Sequence, residues 1–173
     1  VCFTGSGVSA ESGIATFRDP GGLWDRFDPD EVATSGGLLS LAARRPEVVK
    51  ALFLETVEAF EKAAPNPGHM GLVELEKMGI LRTVITQNVD DLHTQAGNTR
   101  VIEVHGNLFR FRCLSCYTRR KLMKEEVLTL GRKVVEALER SGFQEIIEFL
   151  PHCDSCGSPM RPDVVMFGEA VHD

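Results

Sequence analysis

Two Cys-x-x-Cys pairs constrain the fold of this chain more than any other feature of its sequence. Cys113 and Cys116 form the first pair, and Cys153 and Cys156 form the second. Four thiolates with this spacing can surround one Zn²⁺ tetrahedrally, which leaves no ligand position open and makes the site structural. Two adjacent disulfides are the alternative. Because Cys2 makes the cysteine count odd, a metal in a reducing compartment fits better. We expect the cytoplasm, with the nucleus or an organelle as alternatives.

The segment between the two pairs is longer than the connection in common zinc ribbons. Residues 121–150 are rich in charge, and their apolar residues recur at helical spacing. We therefore expect a small zinc-binding module over residues 113–156, with a helical insert between the pairs. His152 lies beside Cys153, but a fifth ligand is not needed, and we interpret His152 as an exposed loop histidine.

The rest of the chain alternates between strand patterns and helix patterns. Strands are predicted over residues 1–4, 81–86 and 100–104, and helices over residues 9–13, 46–64, 68–78 and 90–96. Residues 14–37 are rich in Gly, Pro and Asp and are predicted to form a loop with an apolar island at Leu23 and Trp24. This order of elements predicts an α/β fold with a mostly parallel sheet.

Composition and charge exclude some classes of function. Hydrophobic residues make up 43% of the chain and charged residues 25%, which is the balance of an ordinary globular protein rather than a disordered one. No apolar run is long enough to cross a bilayer, so no membrane partner is expected. The net charge of −6 argues against a nucleic-acid groove as the main function.

A glycine-rich segment follows the first predicted strand. Gly5 and Gly7 lie between that strand and a helix N-terminus, an arrangement in which backbone N–H groups can meet a pyrophosphate. The third glycine, Gly13, comes too late for the usual G-x-G-x-x-G spacing. The spacing alone therefore fits phosphate binding and a tight strand-to-helix turn about equally.

Polar residues follow the next two predicted strands. Gln87, Asn88 and Asp90 come directly after one strand, where ligands bind in open α/β sheets, and could hold a ribose or a carboxamide. The alternative, a helix capped by Asn88 or Asp90, is the more common role of such residues. His105 ends the following strand and suits general-base chemistry near neutral pH, although a lone histidine more often makes structural hydrogen bonds. The other histidines are interpreted as structural or surface residues: His69, His93, His152 and His172.

Taken together and in this order, these motifs resemble the sirtuin family. The matching residues are 5–18, 86–93, 105–106, the two cysteine pairs and 164–169, so the resemblance covers nearly the whole chain. It implies a Rossmann-like NAD-binding fold with an inserted structural zinc module. It also implies an NAD-dependent protein-lysine deacylase that acts on an acyl-lysine peptide or protein and releases nicotinamide and an O-acyl-ADP-ribose.

The resemblance assigns roles to individual positions. The NAD site would be lined by Gly5, Ser6, Gly7, Ala10, Phe17 and Arg18. The nicotinamide ribose would face Gln87, and the carboxamide pocket would be formed by Asn88, Val89 and Asp90. The edge strand and acyl-lysine tunnel, along which the peptide would pair as an added strand, would be formed by Val165, Phe167, Gly168 and Glu169. Catalysis would depend on Asn88 and on His105, whose neutral imidazole would take a proton from a ribose hydroxyl.

In the subgroup of the family that removes succinyl and malonyl groups, a tyrosine and an arginine three residues later bind the acyl carboxylate. The matching positions here are Phe53 and Thr56. Because no arginine is present to pair with a carboxylate, we expect a neutral acyl group such as acetyl. Two other functions remain alternatives: protein ADP-ribosylation through the same NAD cleavage, and a non-catalytic scaffold built on the zinc module.

The resemblance also suggests how the chain is divided. Residues 1–112 would form the Rossmann-like NAD-binding part, residues 113–156 the zinc-binding module, and residues 157–173 the return to the NAD-binding domain with the acyl-lysine edge strand. The family continues past this point with further strands and a second loop for the adenosine half of NAD. We therefore expect residues 1–173 to belong to a longer chain, to leave sheet edges and apolar helix faces uncovered, to be poorly soluble and to be inactive on their own.

Overall fold

Two three-stranded sheets form the framework of this computed structural model, which describes residues 1–140 and 144–171. The strands are β1 (Cys2–Thr4), β2 (Val84–Thr86), β3 (Val101–Glu103), β4 (Gly106–Cys113), β5 (Arg119–Lys121) and β6 (Met160–Val164). The first sheet has the order β1-β2-β3 and is parallel. The second has the order β5-β4-β6 and is antiparallel. The chain therefore combines the predicted parallel α/β sheet with a separate antiparallel unit.

Helices surround these sheets. They are α1 (Ser6–Ser9), α2 (Leu23–Arg26), α3 (Pro29–Val32), α4 (Ser35–Arg44), α5 (Pro46–Lys62), α6 (Pro67–Lys77), α7 (Leu92–Ala96), α8 (Lys124–Arg140) and α9 (Gln144–Phe149). Part of the predicted helical insert, residues 141–143, lies outside the described residues, as does His172. None of the helices within the described ranges has the length and apolar character needed to span a membrane.

Two of the predicted helices, α5 and α6, are confirmed. Each begins with a proline, whose missing N–H would have no partner in the first turn anyway. Asn66 caps α6, because its Oδ1 accepts hydrogen bonds from the backbone N–H groups of Gly68 at 2.9 Å and His69 at 3.3 Å. Gly79, with a φ of 75°, follows the end of α6 and makes a left-handed turn there.

The prediction of a loop over residues 14–37 is wrong, because α2, α3 and the start of α4 lie there. The polar and proline residues that suggested a loop serve as helix starts. Asp28 accepts a hydrogen bond from the N–H of Asp30 at 2.9 Å ahead of α3. Thr34 accepts one from the N–H of Gly37 at 3.0 Å ahead of α4. The helices α2 and α3 have four residues each, too few to show an apolar period in the sequence.

Other boundaries differ by a few residues. The elements β2 and α7 start later than predicted, at Val84 and Leu92. The helix after the glycine-rich segment starts earlier, at Ser6. Ser9 does not cap a helix, because its hydroxyl donates to Asp90 Oδ2 at 2.6 Å instead. The Ser9 hydroxyl, which from the local sequence could cap a helix, is thus used in a hydrogen bond to a residue far away in the chain.

Helix α8, predicted as an insert of the zinc module, packs across α5. The two helices cross so closely that a Cβ atom on Gly131 would lie 2.5 Å from Val57 Cγ2. A buried cluster joins α8 and α9 to the earlier helices through Val32, Leu41, Ala42, Val49, Val134, Ala137, Leu138 and Ile146. At the start of α8, Val127 and Leu130 pack instead against the core that contains Cys113 and Cys153. The insert therefore connects the cysteine-bearing unit to the helical layer.

One face of the parallel sheet is open to solvent in the described structure. Phe3, Ile85 and Ile102 stand side by side on that face. Phe3 is 77% exposed and Ile102 is 52% exposed, whereas Val84 on the opposite face is fully buried. Parallel sheets are normally covered on both faces. This face of the sheet is therefore an exception to that pattern within the described residues.

Candidate metal centre and active site

The four cysteines of the Cys-x-x-Cys pairs form one cluster. Their sulfur atoms all lie within 4.8 Å of one another, and the distances from Cys113 to Cys156 and from Cys116 to Cys153 are both 3.5 Å. Tetrahedral Zn–S bonds of about 2.3 Å place sulfur atoms about 3.8 Å apart, so the donor set and its spacing fit one Zn²⁺. Each close pair joins one knuckle to the other, which argues against a separate disulfide within each Cys-x-x-Cys pair.

Hydrogen bonds reach both sulfur atoms of the first knuckle, Cys113 and Cys116. The N–H groups of Ser115 and Cys116 each point at Cys113 Sγ from 3.4 Å. Thr118 Oγ1 lies 3.3 Å from Cys116 Sγ. Hydrogen bonding by the side chain and the backbone of Thr118, together with Cys153 and Cys113, lowers the pKa of Cys116 to about 6. The backbone N–H of Cys116 works in the same direction on Cys113, but burial and the neighbouring sulfur atoms leave the pKa of Cys113 above its ordinary value. Because the thiolate is the form that binds a metal, the surroundings of Cys116, rather than those of Cys113, favour metal binding near neutral pH.

A second group of polar residues meets at the carboxyl end of the parallel sheet. Asn88, which follows β2, donates its Nδ2 hydrogens to the carbonyl oxygen of Gly5 at 3.1 Å and to Ser9 Oγ at 2.9 Å. Ser9 in turn donates to Asp90 Oδ2 at 2.6 Å. Ser9, Asn88 and Asp90 are all buried. The glycine-rich segment and the segment after β2 are therefore joined directly by Asn88 and through the hydroxyl of Ser9, a residue that the sequence did not single out for this role.

This hydrogen bonding limits what each group can do. Both oxygens of Asp90 have donors, because Oδ1 accepts from the N–H of Leu92 at 3.0 Å. Asp90 therefore fixes the turn before α7. The predicted capping alternative is wrong for it, because Asp91 occupies the N-cap position of α7 and no side chain caps that helix. Both Nδ2 hydrogens of Asn88 are already donated, to Gly5 and to Ser9. Its Oδ1 is therefore the side-chain atom that can accept a hydrogen bond from a ligand.

His105 lies beside this group, at the connection between β3 and β4. Its Nδ1 is 3.1 Å from the carbonyl oxygen of Gln87. A carbonyl oxygen only accepts, so Nδ1 carries the proton of the neutral ring and Nε2 keeps the lone pair. The imidazole is half-buried. Nε2 is therefore the atom of His105 that can act as a base.

The backbone next to His105 allows no side chain at Gly106. Gly106 has a φ of 85°, and a Cβ atom there would lie 1.8 Å from the carbonyl oxygen of Asp163 on β6. This close approach continues beyond β6, where the N–H of Val165 donates to the carbonyl oxygen of His105 at 3.0 Å. The segment after β6 is thus held directly against the candidate base.

Three aromatic side chains line the surface near this segment. Phe17 lies 5.1 Å from Trp24 between ring centroids, and Trp24 lies 5.9 Å from Phe167 in an edge-to-face arrangement. Phe17 and Phe167 were predicted as site residues, whereas Trp24 was noted only as part of an apolar island. Its placement depends on α2, where the N–H of Trp24 donates to the carbonyl oxygen of Phe17 at 2.9 Å.

Comparison with known proteins identifies the family. The family model described as "Sir2 family" matches residues 5–173. The chain belongs to the Sir2 family. It is 54% identical over 169 residues to an NAD-dependent protein deacylase of Desulfosudis oleivorans, which covers 98% of this chain and 62% of that protein. An NAD-dependent protein deacylase of Pyrococcus abyssi is 47% identical over 171 residues, covering 99% of this chain and 61% of the relative.

Solved structures of Sir2 proteins have the same fold. A complex of a Sir2 homologue with NAD superimposes with a TM-score of 0.68 at 41% identity, covering 99% of this chain and 58% of that one. A Sir2 complex with a p53 peptide and NAD⁺ gives 0.64 at 32% identity, covering 99% and 60%. This Sir2-family chain thus spans about three fifths of the proteins that it matches.

The remaining predicted positions of this Sir2-family chain are placed as follows. Gly5 and Gly7 have open space where a Cβ atom would stand, so a ligand can approach their backbone. Gln87 is exposed, and Val89 is half-buried with its carbonyl oxygen accepting from the N–H of Leu108 at 2.9 Å. Ser6 is half-buried, and Ala10 and Arg18 are exposed. Within the described ranges, no hydrogen bond joins the side chains of these last three residues to the Asn88 cluster.

The predicted edge strand over residues 165–169 needs correction. β6 ends at Val164, and the next residues form an irregular segment because other groups use its backbone: the N–H of Phe167 donates to the carbonyl oxygen of Ala33 at 2.8 Å. Gly168 makes a left-handed turn, with a φ of 82°. Glu169 pairs with Arg161 at 2.7 Å. Burial works against ionisation, but Arg161 and the backbone N–H of Met166 together lower the pKa of Glu169 below its ordinary value.

Two buried histidines, His69 and His93, lie beneath the site. Their rings pack with centroids 4.8 Å apart, and His93 Nε2 is 2.8 Å from Thr4 Oγ1. Burial lowers the pKa of both histidines, while the nearby Asp90 carboxylate opposes that shift. Both are therefore neutral at physiological pH, and the prediction that they are structural agrees with their positions. His152 is exposed, as predicted.

Proposed function

We propose that the full-length protein is an NAD-dependent protein-lysine deacylase that releases nicotinamide and an O-acyl-ADP-ribose. The observation that carries this proposal is the joining of the glycine-rich segment to Asn88 and Asp90 through Ser9, next to a histidine whose Nε2 is free to act as a base. The names of the matching relatives support it. Membership of the family indicates the type of reaction, and the hydrogen bonds indicate which atoms of Asn88 and His105 are free to take part in it.

NAD, when bound, supplies the ribose carbon that receives the acyl oxygen and the nicotinamide that leaves. The open backbone at Gly5, Ser6 and Gly7 would hold its phosphates, with Ala10, Phe17 and Arg18 closing the site. Asn88 Oδ1 can accept a hydrogen bond from the carboxamide, in a pocket completed by Val89 and Asp90. Gln87 would face the ribose. His105 Nε2 would take a proton from a ribose hydroxyl, which makes that oxygen nucleophilic toward the acyl carbon.

The acyl-lysine would lie along the segment after β6. Val165, Gly168 and Glu169 would border its backbone, and Phe167 with Trp24 and Phe17 would form an apolar wall that excludes water from the lysine stem. We propose a neutral acyl group such as acetyl. At the position where a carboxylate-binding arginine would be needed, the Thr56 hydroxyl donates to the carbonyl oxygen of Leu52 in its own helix at 2.7 Å.

Zinc would hold the antiparallel unit together without entering the reaction, since four thiolates complete its coordination. We propose a reducing compartment, the cytoplasm, because the four clustered cysteines are free and would have to stay reduced to bind a metal.

The test measures both nicotinamide release from NAD and formation of O-acyl-ADP-ribose by the full-length protein in the presence of an acetyl-lysine peptide. We expect release to depend on the peptide and His105→Ala to lower acyl transfer by about 100-fold or more, the usual contribution of a general base. His152→Ala, at an exposed histidine far along the chain, is the matched control. An unchanged rate of acyl transfer in His105→Ala contradicts the assignment of His105 as the base. Labelled NAD separates the alternatives: label in free acyl-ADP-ribose supports deacylation, whereas label retained on protein indicates ADP-ribosylation.

A further inference from the structure

Asp91, directly after the candidate carboxamide pocket, has a strained backbone. Its φ is 63°, in the left-handed region that non-glycine residues rarely adopt. The turn that it makes sets the position of Asp90, whose Oδ1 accepts from the N–H of Leu92 while Oδ2 accepts from Ser9. Strain of this kind persists only where surrounding contacts hold it. The contacts of the Asp91 side chain therefore bear on the geometry of the pocket.

Two residues of the antiparallel sheet hold the Asp91 carboxylate. Asn107 Nδ2 donates to its Oδ1 at 2.9 Å. Lys121 Nζ lies 3.1 Å from Oδ2 and 3.2 Å from Oδ1, so both oxygens face one ammonium group. The Asp91 side chain is only 9% exposed, although that of Lys121 is 58% exposed. A carboxylate so far removed from water is costly to bury unless such partners replace its contacts with water.

Lys121 reaches Asp91 because the cysteine knuckle fixes its strand. It is the last residue of β5, which pairs with β4 in the register Arg112↔Arg119 and Arg110↔Lys121. The knuckle closes this hairpin, since the N–H of Cys113 donates to the carbonyl oxygen of Thr118 at 2.9 Å. The metal-binding end of the molecule therefore determines where the Lys121 ammonium lies.

We propose that Lys121 is a positioning residue for NAD binding: by holding Asp91 in its strained turn, it keeps Asp90 and Asn88 in place. The inference rests on the proposed function for the identity of the ligand. Lys121 contacts Asp91, next to the candidate pocket, so we expect its loss to weaken NAD binding and to leave the chemical step nearly unchanged. Loss of the ammonium lets the Asp91 turn relax, and the pocket that should accept the carboxamide loosens with it.

The experiment compares Lys121→Met with Arg120→Met in the full-length, zinc-loaded protein. Both changes remove one cation from β5 and keep an unbranched stem, but Arg120 pairs with Asp154, which is 82% exposed, at 3.2 Å. We expect Lys121→Met to raise the KM for NAD about three- to ten-fold with kcat changed less than about two-fold, whereas Arg120→Met leaves both near their original values. Lys121→Arg, which keeps a cation at this position, should have the same KM for NAD as the original protein. Equal KM values for the two methionine variants overturn the proposal.

A second measurement separates this inference from the proposed function. Hydrogen exchange of the Leu92 amide, followed without NAD, reports on the hydrogen bond to Asp90 directly. We expect about five-fold faster exchange in Lys121→Met than in Arg120→Met, with equal zinc content. If the original protein binds no NAD by calorimetry, the proposed function fails, and the exchange rates still decide the role of Lys121. Equal exchange rates, or loss of zinc from Lys121→Met, overturn that role.

Discussion

Single hydrogen bonds determine the geometry of the candidate site. Ser9 is the clearest case, because its one hydroxyl accepts from Asn88 and donates to Asp90. All three side chains are buried, so water cannot replace a lost partner. The hydroxyl therefore joins two segments that are far apart in the sequence.

Replacing Ser9 with alanine should weaken both stability and NAD binding. The change leaves Asp90 Oδ2 and one Asn88 hydrogen without their buried partner, which we expect to cost about 1 to 3 kcal/mol in the free energy of unfolding. Ser6→Ala, in the same short helix, is the matched control and should cost less than about 0.5 kcal/mol. Urea unfolding, followed by the fluorescence of the single tryptophan, Trp24, measures the free energy of unfolding of both variants. Equal costs for the two variants would contradict the bridging role.

The buried histidines make stability depend on pH. Burial lowers the folded-state pKa of His93 below the ordinary histidine value of about 6.5, so the unfolded chain binds more protons than the folded protein around and below that pH. The free energy of unfolding should therefore fall as the pH drops from about 7 to about 5. In His93→Gln, which can keep the hydrogen bond to Thr4, this part of the pH dependence should disappear. His152→Gln, at an exposed position, should retain the original slope in urea unfolding at saturating zinc, and identical slopes in all three proteins would refute the assignment.

At the scale of helices and strands, local signals decide what the sequence can predict. Pro46 and Pro67 sit where helices start, and the spacing within each cysteine pair is itself the ligand spacing, so α5, α6 and the metal centre were predictable. The short helices α2 and α3 have no apolar period. Ser9 and Trp24 acquire their roles only through partners distant in the chain. Tertiary contacts of this kind leave no local pattern.

The crossing of α5 and α8 depends on one glycine. A Cβ atom on Gly131 would lie 2.5 Å from Val57 Cγ2, so Gly131→Ala should push the helices apart and cost about 1 to 3 kcal/mol. Combining it with Val57→Ala should recover part of that loss, because the second change removes the obstructing methyl groups. Gly71→Ala in α6, where the added methyl meets nothing within 4 Å, should stabilise by about 0.5 to 1 kcal/mol. A destabilised double variant with no recovery would show that the contact does not control the crossing.

Across the whole molecule, a chain of charges joins the two sheets. Glu103 on β3 pairs with Arg110 Nη1 at 2.9 Å, and Arg110 Nε pairs with Asp163 on β6 at 2.7 Å. Arg119 on β5 approaches the same carboxylate at 3.0 Å, and Arg112 on β4 lies 3.6 Å from it. Burial would lower the pKa of Arg110, but Asp163 and Glu103 raise it above its ordinary value. Asp163, which is only 3% exposed, thus balances several arginines at the boundary between the sheets.

Asp163→Asn should therefore be among the most destabilising changes in the described structure. It leaves the shape of the side chain but removes the charge that compensates the surrounding arginines, and breaking such a buried pair costs about 3 to 5 kcal/mol. Asp154→Asn is the matched control, since its carboxylate also pairs with an arginine of β5 but is 82% exposed; it should cost less than about 0.5 kcal/mol. Urea unfolding of the zinc-loaded protein measures the free energy of unfolding of both variants.

Because Asp163 lies between the candidate base at His105 and the cysteine knuckles, Asp163→Asn should also release zinc at a lower chelator concentration than Asp154→Asn. Similar unfolding curves for the two variants would mean that the sheets are held together by apolar packing alone.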